Sequence, residues 1–383
     1  MGSPDKAAAR PRWAMARRAL WVLVPLLILA LSPEGVEQVY VPWVGRPLTR
    51  SLAVLTGMFS WSLAEWIEGA AATALIVFIG RVTHRVWQGR TTPRQVLSRN
   101  GPWALAAVLW IVAVFYASWG LNYARAPAYI RLGWEPIQLD ELEDPDELRE
   151  LAAVISKLTR ETYLEIHGSE DAGAPTDPPP YLELHRAIEQ GYMNATSEMG
   201  LPDSYARPFP PPKPLISSWL FTRLGISGFY FPFTGEANFN HMPPAWAQPM
   251  TLAHEKAHQR GVASEDEANF FGFLACLHSP DPHVRYAALM FAERQLLYPL
   301  FYQDPDAAIA LHESRLPGMQ RDRDASRAFW LGHDSAWTEV GGALNHAYLR
   351  INRVEGGTRS YSMSGRLMVS LNRRFPIEQI VSP

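Results

Sequence analysis

The sequence predicts a mainly α-helical membrane protein in two parts. Residues 1–124 read as a membrane region with about three transmembrane helices, and residues 125–383 as an extracytoplasmic α+β domain with a small sheet or hairpin. Three observations lead there. Apolar residues concentrate at the N-terminal end, although the mean hydropathy of the whole chain is near zero. Basic residues fall in two blocks that flank the apolar runs. Beyond the last run the pattern is helical, except for one aromatic stretch that contains glycines.

At 383 residues the chain has room for a membrane region and a separate folded domain. A net charge of -3 gives no reason to expect nucleic acid as a partner. A single cysteine, Cys276, excludes an internal disulfide framework and a cysteine-rich zinc site. Aromatics make up 11% of the residues, with 14 tryptophans. Many of these lie in the first third, as suits membrane interfaces where an indole sits half wet.

The first apolar run, "ALWVLVPLLILALS" (19–32), is short for a span, which needs about 20 residues. It is read as an uncleaved span, with a cleaved signal peptide as the alternative. "PLTRSLAVLTGMFSW" reads as an amphipathic or re-entrant piece, and "SLAEWIEGAAATALIVFIG" (62–80) as the second span. The third is clearest, since no charged residue occurs between Arg99 and Arg125. Lys6, Arg10, Arg12, Arg17 and Arg18 precede the first run, and Arg81, Arg85, Arg90, Arg94 and Arg99 separate the second from the third. The intervening loop has only Arg46 and Arg50, offset by Glu34 and Glu37. Positive segments stay in the cytoplasm, so everything after Arg125 is expected outside.

Downstream, "IQLDELEDPDELRELAAVISKLTRETYLEIHG" and "YLELHRAIEQGYMNATSEMG" have helical periodicity, separated by a proline-rich loop. "GISGFYFPFTGEANFN" reads as one or two short strands, and the chain from about Ala245 onward as mostly helical.

The chemistry is in "TLAHEKAHQRGVASEDEANFFGFLAC" (251–276). Residues i and i+4 of a helix share a face, so His254 and His258 can present two imidazoles to one ion. Glu255, about 100° around the helix, can reach a water bound there. Gly261 suits a helix stop. A four-coordinate catalytic zinc needs a third protein ligand. Glu265, Asp266 and Glu267 follow at once as candidates, in the first turn of a second helix. Asn269, one turn beyond Glu265, is placed to hold His254 or His258 by a hydrogen bond. The ordinary alternative is a charged helix with two unrelated histidines, its neighbour starting with acids that suit the helix dipole.

HExxH followed by Glu-x-x-Ala-Asn resembles the glutamate zincins, metallopeptidases whose third ligand is a glutamate on the next active-site helix. The resemblance implies Glu265 as that ligand, with Asn269 in the usual Asp or Asn place. The gap of seven residues from His258 is shorter than in most such families, which leaves Glu267 as the competitor. The short gap and Gly261 also resemble the metzincins, but Ser264 stands where their third histidine would be. "WGLNYAR", "PKPLISS", "GISGFYFPFTGEANFN", "HEKAHQRG" and "EDEANFFGFLAC" look like the marks of an uncharacterised bacterial family with a few N-terminal membrane helices and a C-terminal zincin-like domain.

Just upstream, Glu236 and Asn238 alternate with Ala237 and Phe239 and are expected to face the cleft, where a zincin edge strand would bind substrate backbone. A transition-state oxyanion needs a donor. Tyr361 is the candidate for it, ahead of Arg350, His346 and Asn345 in the same polar stretch. The expected activity is zinc-dependent peptide hydrolysis: His254, His258 and Glu265 hold Zn2+, and Glu255 acts as general base. The partners are the lipid bilayer and a peptide or protein substrate. The alternative is a zinc-binding membrane sensor or assembly protein with no catalysis.

Overall fold

The computed structural model describes residues 4–134, 145–352 and 364–381. α1 (Pro4–Leu29) is followed by a one-turn helix α2 (Pro33–Gly35), a π-wound segment (Val36–Gly45) and α3 (Arg46–Thr56). Ser32 starts this run by accepting the Gly35 N–H at 3.0 Å. The axis of residues 33–56 is bent by 111° from that of residues 14–29. The first apolar run therefore ends in a sharp turn instead of a simple exit from a bilayer.

Among the described residues, two helices are long and apolar enough to cross a membrane, α4 (Leu63–Trp87) and α5 (Pro93–Ser118). The bent N-terminal pair makes a third if taken as one broken span. Each helix has a definite start. The Ser62 hydroxyl accepts the Glu65 N–H (3.2 Å), and Thr92 and Gln95 form a reciprocal capping box with Pro93 at the first position. Nearly all of α4 is exposed and apolar, the composition of a helix surrounded by lipid. α1 packs along α5. A tight 3-10 turn (Gly120–Ala124) and α6 (Ala128–Arg131) lead out of α5.

The remaining elements in order are α7 (Pro145–His167), α8 (Tyr181–Met199), β1 (Lys213–Pro214), α9 (Ser218–Arg223), β2 (Gly228–Phe231), β3 (Glu236–Phe239), α10 (Gln248–Gln259), α11 (Glu265–Leu277), α12 (Pro282–Gln303), α13 (Pro305–Glu313), α14 (Pro317–His333), α15 (Ala336–Ile351), α16 (Ser364–Arg374) and α17 (Ile377–Val381). α11 is the centre of the core. Phe270, Phe271, Phe273, Leu274 and Leu277 are all buried, against α8, α10, α12 and α16. Each such side chain stabilises the fold by about 1.5–3 kcal/mol. A helix buried on nearly every side cannot be amphipathic, which is why its sequence is apolar all round after the first turn.

The sheet has the order β1-β3-β2. β2 and β3 form the expected hairpin, with Gly228 opposite Phe239 and Phe231 opposite Glu236. β1 lies parallel to β3 on its other side. β3 is thus the central strand and β2 an edge.

The segments around the candidate spans share polar contacts with the rest of the chain. Glu236 accepts the N–H groups of Leu63 (3.2 Å) and Ala64 (2.8 Å) at the start of α4. Glu65 accepts those of Ile216 (3.0 Å) and Ser217 (2.8 Å). Arg125 donates to Glu37 (2.7 Å) and to the Gly261 carbonyl (2.9 Å).

Candidate metal centre

α10 carries His254 and His258 on one face, their ring centroids 4.7 Å apart. Gly261, at φ +83°, then ends α10 and turns the chain into α11. The Gly261 N–H bonds the His258 carbonyl at 2.9 Å, and the Val262 N–H bonds the Ala257 carbonyl at 3.2 Å. Glu265 is the first residue of α11 and faces back toward α10. One side-chain atom from each of His254, His258 and Glu265 lies within 4.8 Å of the other two. His254 Nε2 and His258 Nε2 are 3.1 Å apart, and Glu265 Oε2 is 3.2 Å from the first and 3.6 Å from the second.

Partners on the far side of each ring fix its tautomer. His258 Nδ1 lies 2.6 Å from the Val262 carbonyl, which can only accept, so Nδ1 carries a proton. His254 Nδ1 lies 2.9 Å from Asn269 Oδ1, which likewise accepts. In the neutral rings both Nε2 atoms then present lone pairs to the space they share with a carboxylate oxygen. This donor set fits a divalent cation, and two imidazoles with one carboxylate suit zinc. Glu265 Oε2 is buried, and among the described residues nothing but the two imidazoles is near enough to satisfy it.

The three acids at the start of α11 have separate fates. Asp266 takes the Ser264 hydroxyl. Glu267 pairs with Arg131 and accepts the Ala128 N–H at 2.5 Å. Glu265 alone meets the imidazoles. Burial opposes its charge, but the histidines hold its carboxyl well below the usual range. Burial likewise disfavours a charged His258, yet Glu265 prevails and raises it to about 9.

Glu255 is only 3% exposed. Burial raises its pKa to about 7, with the Glu265 charge adding and the two histidines opposing. Among the described residues its Oε2 has no hydrogen-bond partner. Its Oε1 sits where only glycine fits opposite: a Cβ on Gly228 would lie 2.7 Å from it. The edge strand β2 therefore runs beside Glu255.

These four side chains line a cleft of about 1010 Å³. Gly228, Phe229 and Tyr230 of β2 form part of its wall, and Arg294, Arg323 and Arg327 give it a basic region. Trp119 and Tyr123, just after the candidate span α5, also line it, as does Tyr348 of α15. Trp119 packs edge-on against His258 at 5.9 Å. The Tyr123 hydroxyl donates to that of Tyr348 at 3.1 Å. Desolvation raises the pKa of both phenols, and the Glu265 carboxylate adds to the effect.

Two residues expected in the cleft are elsewhere. Glu236 is buried between Lys213, Thr234 and the start of α4. Asn238 is fully buried and donates to the Glu236 carbonyl at 3.3 Å. The alternation correctly puts both on one face, but β3 is central, and the edge beside the site is β2. Tyr361 lies outside the described residues. Sequence reasoning missed Trp119, Tyr123, Tyr348 and the three arginines. "WGLNYAR" and "ALNHAYLR" were visible as polar, aromatic stretches, but nothing in their spacing ties them to a helix more than a hundred residues away in one case and about ninety in the other.

No curated protein and no solved structure matches the chain. A family described as "Protein of unknown function (DUF3810)" matches residues 40–369, a span that holds His254, Glu255, His258 and Glu265 together with the candidate spans α4 and α5. The chain belongs to this family.

Proposed function

We propose that the protein is a membrane-anchored, zinc-dependent metallopeptidase of zincin type, with its hydrolytic cleft outside the cytoplasm. The observation that carries this reading is the meeting of His254 Nε2, His258 Nε2 and Glu265 Oε2 beside the buried, unpartnered Glu255 Oε2. His254, His258 and Glu265 would hold the ion. A zinc ion so held supplies Lewis acidity toward a carbonyl and lowers the pKa of water. Glu255 Oε2 accepts the proton of the attacking water and returns it to the leaving nitrogen. A buried carboxyl with an oxygen left without a partner among the described residues is suited to that double duty. The Tyr348 hydroxyl, in the role first given to Tyr361, donates to the oxygen that gains charge. The free edge of β2 offers backbone groups to an extended peptide, so the substrate would bind as an added strand. Basic residues before the first apolar run and between α4 and α5, against only Arg46 and Arg50 in the loop before α4, favour an outer location for the cleft.

The test is Glu255→Gln in the full-length protein. Metal content is expected to stay at one ion per chain, while peptide hydrolysis falls by about 10²–10⁴. Unchanged hydrolysis would remove Glu255 from the chemistry. A chain that binds zinc yet hydrolyses no peptide would favour the sensor or assembly reading, and a chain without metal would end both.

A further inference from the structure

α15 has three distinct faces. Its inner face packs so closely that a Cβ on Gly341 would lie 2.2 Å from the Leu224 carbonyl, and Leu349 is fully buried. A polar flank holds Glu339, His346 and Arg350. The third face is apolar and not covered by any described residue: Trp337, Val340, Leu344 and Ile351 are 57%, 44%, 65% and 75% exposed. At about 100° per residue these four fall within a sector of roughly 60°. A contiguous apolar row of this kind marks an interaction surface.

Two anchors indicate what covers it. The Tyr348 ring, next to the row, packs edge-on against Phe115 in the last turn of α5, at 6.3 Å. At its other end, the Thr338 hydroxyl donates to the Arg223 carbonyl of α9 at 3.1 Å. α9 and the turn before it expose Ile216 (70%) and Trp219 (59%). The backbone there is held by Glu65 in the first turn of α4. α4 and α5 are consecutive candidate spans, so the start of one and the end of the other emerge on the same membrane face. Both apolar surfaces are therefore fixed where the spans leave the bilayer. Trp61 and Trp66 at the start of α4 are exposed at that level too, in the manner of an interfacial aromatic belt.

We propose that α15 and α9 lie in the bilayer surface, apolar faces down, and that the cleft opens onto the lipid headgroups. Leu224, Leu344 and Tyr348 belong to these segments or flank them, and all three line the cleft. The substrate class follows: a membrane-anchored polypeptide, cut close to where it leaves the bilayer. That last clause rests on the hydrolase reading, whereas the seating of α15 does not.

The test uses full-length protein in phosphatidylcholine–phosphatidylglycerol vesicles. One nitroxide at a time is placed on Val340→Cys, Ile351→Cys, Glu339→Cys or Arg350→Cys; Cys276 is buried and stays unlabelled. Collision with oxygen is expected to dominate at 340 and 351, and collision with a water-soluble nickel chelate at 339 and 350. Equal access of the chelate to all four positions overturns the proposal. So does spin–spin broadening at 340 and 351 that vanishes on dilution with unlabelled protein, which identifies a second copy as the cover. A companion assay compares a water-soluble peptide with the same peptide tethered to lipid. Val340→Asp combined with Ile351→Asp, neither of which lines the cleft, should spare the soluble peptide and slow the tethered one by about tenfold. Equal effects on both peptides overturn the inferred substrate class. Wild type that hydrolyses neither peptide sinks the hydrolase reading, and the labelling then decides the seating by itself.

Discussion

Two imidazole lone pairs and a carboxylate oxygen hold one small space comfortably only when something positive sits among them. With no metal ion, a proton must serve, and the raised His258 pKa of about 9 expresses this. The sign is definite. A folded-state pKa above the ordinary 6.5 means that the His258–Glu265 attraction stabilises the metal-free protein fully below pH 6.5, and that this is lost as pH rises through about 9. A metal must displace that proton. Zinc binding at pH 7 is therefore expected to release about one proton per ion, and affinity to climb with pH until about 9. Calorimetry in two buffers of different ionisation enthalpy measures it; an enthalpy independent of buffer would contradict the assignment of His258 as a ligand. Tyr348 invites a separate measurement. Tyr348→Phe keeps the ring and removes the donor, so kcat should fall by about 10²-fold or more with little change in KM. A change in KM alone would make Tyr348 a packing residue. His254, Glu255 and His258 were legible in the sequence because one helical turn carries all three; Glu265 was singled out only by resemblance, and Glu267 stayed a competitor until its pairing with Arg131 was seen. Tyr348 was not legible, because a phenol on a distant amphipathic helix has the same local signature whether it packs or donates.

Helices α10 and α11 bring His254, His258 and Glu265 together only because they approach each other closely. Gly272 makes that possible: a Cβ there would lie 2.9 Å from the His254 backbone nitrogen and 3.2 Å from the Ala253 carbonyl carbon. Backbone cannot step aside as a side chain can. Gly272→Ala should therefore push α11 away from α10, costing about 1–3 kcal/mol of stability. It should weaken metal binding in the same variant, because His254 and Glu265 sit on opposite sides of the displaced contact. Thermal unfolding with and without zinc reads both effects, and a loss of stability with metal affinity intact would mean that the centre does not depend on this crossing. The apolar pattern of α11 forecast its burial. It contained no information about which residue would allow the crossing, since a glycine within a helix looks like a weakness until its neighbour is known. The sheet shows the same limit. Period-two alternation put Glu236 and Asn238 on one face, but a two-residue strand such as β1 leaves no pattern, so the central and edge positions were exchanged. In the interior, Lys213 and two N–H groups at the start of α4 surround the Glu236 carboxyl group.

Across the whole molecule, hydropathy located α4 and α5 and placed a change of character near residue 125, yet that position is not a gap in the packing. The chain leaving α5 supplies Trp119 and Tyr123 to the cleft, and Arg125 ties the membrane-proximal segment to the turn between the two ligand helices. Its guanidinium holds Glu37 with two nitrogens and the Gly261 carbonyl with a third. Arg131 stands 3.9 Å from the same Glu37 and itself pairs with Glu267 of α11. A line of alternating charge thus runs from the π-wound segment to both ends of the turn that positions His258. Arg125→Met removes the donor to Gly261 but leaves Arg131 to neutralise Glu37, so the loss of stability should stay below the roughly 3–5 kcal/mol of a fully broken buried pair. Its specific effect should be on the turn: with Gly261 unheld, the Val262 carbonyl that orients His258 gains freedom, and zinc should leave about tenfold faster. Arg125→Lys, which keeps the charge but cannot bridge both partners, should fall between wild type and Arg125→Met. Release of zinc to a chelator, followed in vesicles, gives these rates directly. If all three proteins release the ion at one rate, the membrane region anchors the metal centre without shaping it.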